Sequence, residues 1–181
     1  MKIFIAIHFD ALTHMNTKKM LMNLRDDLKK ESNAGSFASQ ENMNMILANL
    51  GECDERRMIT AVSAMFAAAK DVSLKPFDLE IDRVDRFQTE NGDTWWAGFK
   101  KSELLAKFQR ALIERLKEED FKMEEDKFEP YIELGRRIET DTKPFTLEEP
   151  FKVMVEKIDV MKLRFGCGLT SQESMATCKL G

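Results

Sequence analysis

Histidine is scarce in this chain: His8 and His14 are the only two among 181 residues. A metal centre built on imidazoles would need many carboxylates as well, and neither a metal nor another cofactor is expected. Cysteine is scarce too. Cys53, Cys167 and Cys178 are odd in number and lack metal-site spacing, which fits reduced cytosolic thiols better than a disulfide framework. No apolar run approaches the roughly 18 residues that crossing a bilayer requires. The N-terminus is strand-like and meets Asp10 too early for a secretory signal. No low-complexity tract or long flexible linker divides the chain. The net charge of −4 gives no general attraction to nucleic acid, although it does not report how charge is distributed. What is present is ordinary: 43% apolar and 33% charged residues, the balance of a folded soluble protein. The expectation is one bilobal domain over residues 1–181, cytoplasmic, monomeric and without membrane contact.

Alternation marks the first strand, with Ile3, Ile5, Ile7 and Phe9 on one face and Phe4, Ala6 and His8 on the other. A helix follows, with Thr17 as N-cap, a stripe of Met20, Leu21, Leu24 and Leu28, and an end at Asn33-Ala34-Gly35. Asp54 can cap a second helix carrying Met58, Ala61, Val62, Met65 and Phe66. Residues Phe77 to Phe87 alternate as a strand with a slip near Asp82, read as a bulge. Glu90-Asn91-Gly92-Asp93 is a hairpin-like turn before a strand holding Trp95 and Trp96, of which at least one belongs to the core. Ser102 caps a third long helix, with Leu104, Phe108, Leu112 and Leu116 at four-residue spacing. Strands near 151–164 and 172–179 close the chain after a polar loop at Thr140-Asp141-Thr142-Lys143-Pro144.

Two segments carry the most information. Asn42-Met43-Asn44-Met45-Ile46-Leu47-Ala48-Asn49-Leu50-Gly51-Glu52 and Lys127-Phe128-Glu129-Pro130-Tyr131-Ile132-Glu133-Leu134-Gly135-Arg136 resemble the two signature strands of the 2H phosphoesterases. Within that family they are most similar to the RNA 2′,3′-cyclic phosphodiesterases once called 2′-5′ RNA ligases. Met1 to Ile7, Gly35-Ser36-Phe37, Asp93 to Gly98 and Phe151 to Lys162 resemble further family segments, in the family's order. The resemblance implies an α+β fold: two similar lobes whose antiparallel sheets form a central cleft, with helices packed outside. It also implies a His-x-Thr motif on each signature strand, two His as general acid and base and two Thr holding phosphate oxygens. Here Asn44 and Ile46 stand in the first motif, and Tyr131 and Glu133 in the second.

Residues two apart in a strand share a face. Asn44, Ile46 and Ala48, like Glu129, Tyr131 and Glu133, are therefore expected on the cleft side. Met43, Met45, Leu47, Ile132 and Leu134 are expected in the core. Asn44 cannot exchange a proton near neutral pH, and a tyrosine, with an ordinary pKa near 10, is a poor base. Glu133 would repel a phosphate; at ~5 Å and an effective dielectric of ~20 the cost is on the order of 3 kcal/mol. Whether the chain is an enzyme is therefore left open, although the family is one of hydrolases. The changes cluster on one face, which suggests either a natural relative that kept only binding or a pocket deliberately recut on a borrowed scaffold, with the second preferred. A recut site would take a small molecule. Either Glu133 would act as a carboxylate base of raised pKa, or His8, oriented by Glu133, would activate Ser39 for acyl transfer. The alternative is a protein that binds RNA or nucleotide ends without cleaving them, or that retains residual phosphodiesterase activity.

Overall fold

The computed structural model describes residues 1–123, 128–166 and 169–181. Lys127, in the second signature segment, and Cys167 lie outside them. The elements run β1 (Lys2–His8), α1 (Met15–Lys30), β2 (Ser32–Phe37), a 3₁₀ turn (Gln40–Asn42), β3 (Asn44–Glu52), α2 (Glu55–Asp71), β4 (Phe77–Phe87) and β5 (Asp93–Phe99). They continue as α3 (Glu103–Glu118), β6 (Tyr131–Thr140), β7 (Phe145–Val155), β8 (Lys157–Gly166) and β9 (Leu169–Lys179). Two sheets result, ordered β3-β1-β8-β9 and β2-β6-β5-β4-β7, and every pairing in them is antiparallel. Helix α1 packs on β2 and β6, whereas α2 and α3 pack on each other and on the first sheet. The expected α+β fold of two helix-backed antiparallel sheets is the observed one.

The first strand behaves as its alternation requires. Ile3, Ile5, Ile7 and Phe9 enter the main core, while Phe4 and Ala6 face the other way and pack with Met161. Each such aliphatic or aromatic side chain, once buried, contributes about 1.5–3 kcal/mol. Asp54 and Ser102 cap α2 and α3 by accepting from the amides of Arg57 and Leu105. The bulge near Asp82 is present: the β4 register slips between Ile81 and Arg83 against both neighbours. The Glu90–Asp93 turn joins β4 to β5, and a Cβ on Gly92 (φ +103°) would lie 2.8 Å from the Arg137 backbone.

Other expectations needed correction. Helix α1 starts at Met15, so Thr17 lies within it rather than capping it. Asp10 organises the approach instead, accepting from the Leu12 and Thr13 amides at 2.9 and 2.8 Å. The helix ends at Lys30, and Asn33 to Gly35 belong to β2. Phe66 and Leu104 are exposed, and Leu105 takes the inward place on α3. The stretch 151–164 is two strands, broken after Val155. Cys53 and Cys178 are free, buried thiols, and burial pushes both thiols up, away from the reactive thiolate.

Asp10 also ties β1 to the start of β8 through Lys157 at 2.6 Å. Burial opposes its charge, but the hydrogen bonds from Lys157 and Thr13 outweigh this and hold the carboxyl well below the usual range. A carboxyl depressed in the folded state stabilises the fold above its unfolded value and loses that contribution as pH falls through the folded one. Asp10→Ala is expected to cost about 1–3 kcal/mol at pH 7. Urea titrations at several pH values should show the difference shrinking below about pH 4; a pH-independent difference would assign the effect to packing.

Candidate functional site

The two sheets meet along β3 and β6. Met45, Leu47, Ile132 and Leu134 share one core cluster, so the alternate residues Asn44, Ile46, Tyr131 and Glu133 face away from it, on the cleft side. Asn44 is buried, Ile46 is 51% exposed, and Tyr131 and Glu133 are half-buried. Ala48 is the exception. Opposite Ile5 and Ala6 stand Ala48 and Ile46, leaving Leu47 as an extra residue. That bulge breaks the alternation and turns Ala48 into the core, at 4% exposure.

His8 lies directly across from Asn44. Its Nδ1 is 2.5 Å from the Asn44 carbonyl oxygen, while the Asn44 amide donates to the Gln172 carbonyl oxygen. A carbonyl oxygen only accepts, so Nδ1 carries the proton and a neutral His8 ring keeps Nε2 as acceptor. The partner expected for His8 was Glu133; Asn44 holds it instead. Glu133 pairs with Arg136 at 2.7 Å, which offsets the charge that had been expected to repel a phosphate or to serve as a base. Ser39 is exposed at the start of the 3₁₀ turn, and its carbonyl accepts from the Asn42 amide. No interaction of its hydroxyl with His8 is formed among the described residues.

Gln172 reaches Asn44 from β9, on the opposite edge of the first sheet, and β9 also contacts the 3₁₀ turn before β3. The Thr170 carbonyl also accepts from Asn42, at 3.4 Å. On the same side as Ala6, the fully buried Asp159 accepts from Ser174 and Thr177 at 2.8 and 2.5 Å through one oxygen, and its other oxygen has no partner. None of these contacts was legible in the sequence, because the partners lie up to 128 positions apart.

The second sheet contributes an aromatic surface. The ring centroids of Phe87, Trp96 and Tyr131 lie 5.2–5.7 Å apart, and the Arg83 guanidinium lies 5.6 Å from the Trp96 ring, within cation–π range. Gly98 makes room for this: a Cβ there would come within 2.7 Å of the indole and 3.0 Å of Arg83. Trp95 is the core member of the pair, at 0% exposure. Alternation had separated the two tryptophans, and the β4–β5 hairpin register, which sets Phe87 opposite Thr94, could have found the rest.

Burial, then the nearby Glu133 charge, pushes the Tyr131 phenol up, with Arg136 opposing. The hydroxyl is therefore a proton-bearing donor at neutral pH and not a base. Tyr131 is the chain's sole tyrosine, so a spectroscopic titration reads it directly. Its phenolate absorbance is expected above about pH 10 in the native protein and near 10 in urea; a native midpoint below the unfolded one would contradict the site's geometry.

Two cavities lie near α1. The larger, about 410 Å³, lies between residues 12–17 and the end of β7; the smaller, about 230 Å³, is lined by Ala11, Met15, Lys18, Lys19, Met22, Asn23 and Gln40. Neither is lined by the residues singled out for the cleft. Among the described residues no group of three or more His, Cys, Asp or Glu could hold a metal ion, and no helix is long and apolar enough to cross a membrane.

Comparison with known proteins agrees with this fold. The chain is 26% identical over 137 residues to an RNA 2′,3′-cyclic phosphodiesterase of Thermotoga maritima, covering 75% of this chain and 70% of that protein. Its fold matches that of Escherichia coli LigT complexed with 3′-AMP with a TM-score of 0.83 at 16% identity, over 99% and 97% of the two chains. It also matches TT0787 of Thermus thermophilus, with a TM-score of 0.82 at 15% identity, over 99% and 98%. The model of the 2′-5′ RNA ligase superfamily matches residues 37–164, well over half of the chain, and the protein belongs to that superfamily.

Proposed function

We propose that this protein binds the phosphorylated end of a nucleotide or RNA, 2′,3′-cyclic or 2′-phosphorylated, and does not hydrolyse it by a paired-imidazole mechanism. The observation that carries the reading is the Phe87–Trp96–Tyr131 surface with Arg83 beside it. Aromatic faces flanked by guanidinium groups are what single nucleobases stack on. The relatives' names point the same way, one being called an RNA 2′,3′-cyclic phosphodiesterase and another being complexed with 3′-AMP. Asn44 and Tyr131 occupy the two positions where the family resemblance expects an acid–base pair. Asn44 cannot ionise in the working range, and Tyr131 is held protonated. Arg136, already at Glu133, is a cation within reach of an incoming phosphate. Glu133 as a free base has less support, since its carboxylate is engaged.

Titration with adenosine 2′,3′-cyclic phosphate, followed by tryptophan fluorescence, tests the proposal. A saturable change with unaltered nucleotide recovered by chromatography is expected. No saturable change up to millimolar ligand, or turnover that survives repurification, would overturn it.

A further inference from the structure

We infer that His8 sets the cleft's choice among phosphorylated ends. Its Nε2 accepts a hydrogen bond from the ribose hydroxyl beside the bound phosphate, so a 2′-phosphomonoester with a free 3′-hydroxyl is preferred to an end that lacks that hydroxyl. The inference rests on the nucleotide-end reading above. His8 Nδ1 lies 2.5 Å from the Asn44 carbonyl oxygen, and the Asn44 amide is itself fixed by Gln172. This relay keeps the proton on Nδ1 and leaves Nε2 a bare lone pair. Nε2 makes no hydrogen bond to any described residue, yet it is not buried. It is therefore open to a ligand on the cleft side, and Asn44 is the residue that positions it.

A bare ring nitrogen meets a phosphate oxygen lone pair to lone pair and repels it, whereas it accepts from a hydroxyl. Donors to the phosphate stand on the other wall of the cleft. The Tyr131 hydroxyl carries its proton at neutral pH, and Arg136 follows on the same strand. On the His8 side, Asn44, Ile46 and Gln172 are uncharged, and Lys157 of β8 is already held by Asp10 at 2.6 Å. Donors on one wall and an acceptor on the other match a ligand that carries an anion and a hydroxyl on neighbouring carbons. The ribose of a 2′-phosphomonoester does so. In the 2′,3′-cyclic form both oxygens are esterified, and no donor remains there.

The test compares adenosine 2′-monophosphate with 3′-deoxyadenosine 2′-monophosphate, which differ only in the hydroxyl, by isothermal titration at about pH 8, above the ordinary imidazole range. The hydroxyl-bearing nucleotide is expected to bind about 3- to 10-fold more tightly, the usual contribution of one hydrogen bond. His8→Phe should abolish that preference. Long-range ¹H–¹⁵N NMR of the imidazoles gives a reading that needs no variant. In the free protein His8 should be protonated at Nδ1 and bare at Nε2, and its Nε2 resonance should move with the hydroxyl-bearing nucleotide alone. His14 is the internal reference, since its Nε2 lies 2.9 Å from the Met154 carbonyl oxygen and must carry the proton. Equal affinity for the two nucleotides, a preference that survives in His8→Phe, or a proton on His8 Nε2 in the free protein would overturn the inference and leave nucleotide binding in place. Saturable binding of neither nucleotide would overturn the nucleotide-end reading itself, and this inference with it.

Discussion

Carrying Asn44→His, Ile46→Thr, Tyr131→His and Glu133→Thr together, the chain is expected to hydrolyse 2′,3′-cyclic nucleotides at least about 10²-fold faster than the parent, since a positioned acid or base is worth ~10²–10⁴. The parent should remain at the level of buffer. The expectation rests on the family's motif and on a backbone that already holds the four positions on the cleft side, with position 44 opposite His8 and position 131 opposite Gly98. Removing Glu133 also frees Arg136, its partner at 2.7 Å, to meet the phosphate. Gln172 would lose the amide it accepts from, so a fifth change there is the natural control for a blocked site. Initial rates measured by chromatography decide the matter. A quadruple variant with native circular dichroism and no turnover would mean that the cleft has diverged beyond its two motifs.

Phe87→Ala should weaken nucleotide binding by about 1–3 kcal/mol, a factor of roughly 5 to 150, which is the usual contribution of one stacked base. Phe87 is 37% exposed, so the change should leave the fold intact, and its ring lies 5.2 Å from that of Trp96. Trp96 itself is a poorer probe, because at 5% exposure its removal would also open a cavity costing about 3–5 kcal/mol. Isothermal titration with adenosine 2′,3′-cyclic phosphate reads the difference. Equal affinity in the variant would move the base elsewhere and leave the aromatic surface as packing alone.

Local patterns were the legible part of this protein. The alternation of Ile3, Ile5 and Ile7, the caps at Asp54 and Ser102 and the slip at Asp82 depend on residues a few positions apart, and each was readable. Ala48 was misplaced because a bulge at Leu47 leaves no mark in the pattern, which fits an unbroken strand equally well. Leu104 was off by one position from the buried Leu105, and Thr17 by three from the residue before the helix, His14. The candidate site was half visible. Both signature strands announced Asn44, Ile46, Tyr131 and Glu133, but what holds them is tertiary. The Arg136 pairing spans only three positions, but the Gln172 contact and the cluster around Trp96 depend on long-range register that no local window contains.

The strand order has a consequence for how the molecule is assembled. In the second sheet, β4, β5 and β6 are consecutive strands joined as neighbours, whereas in the first sheet β1 pairs with β8 across Lys2–Leu163 and Ala6–Asp159. Closing a loop of that length is entropically slow compared with closing a hairpin. Pulse-labelled hydrogen exchange should accordingly find the β4–β5 amides protected before those of β1, and simultaneous protection would point to a single concerted step. During synthesis the face of β1 that carries His8 must wait for β8 and β9 to emerge. β1 is thus enclosed later than strands that follow it, and the cleft is completed only after β8 and β9 have been made.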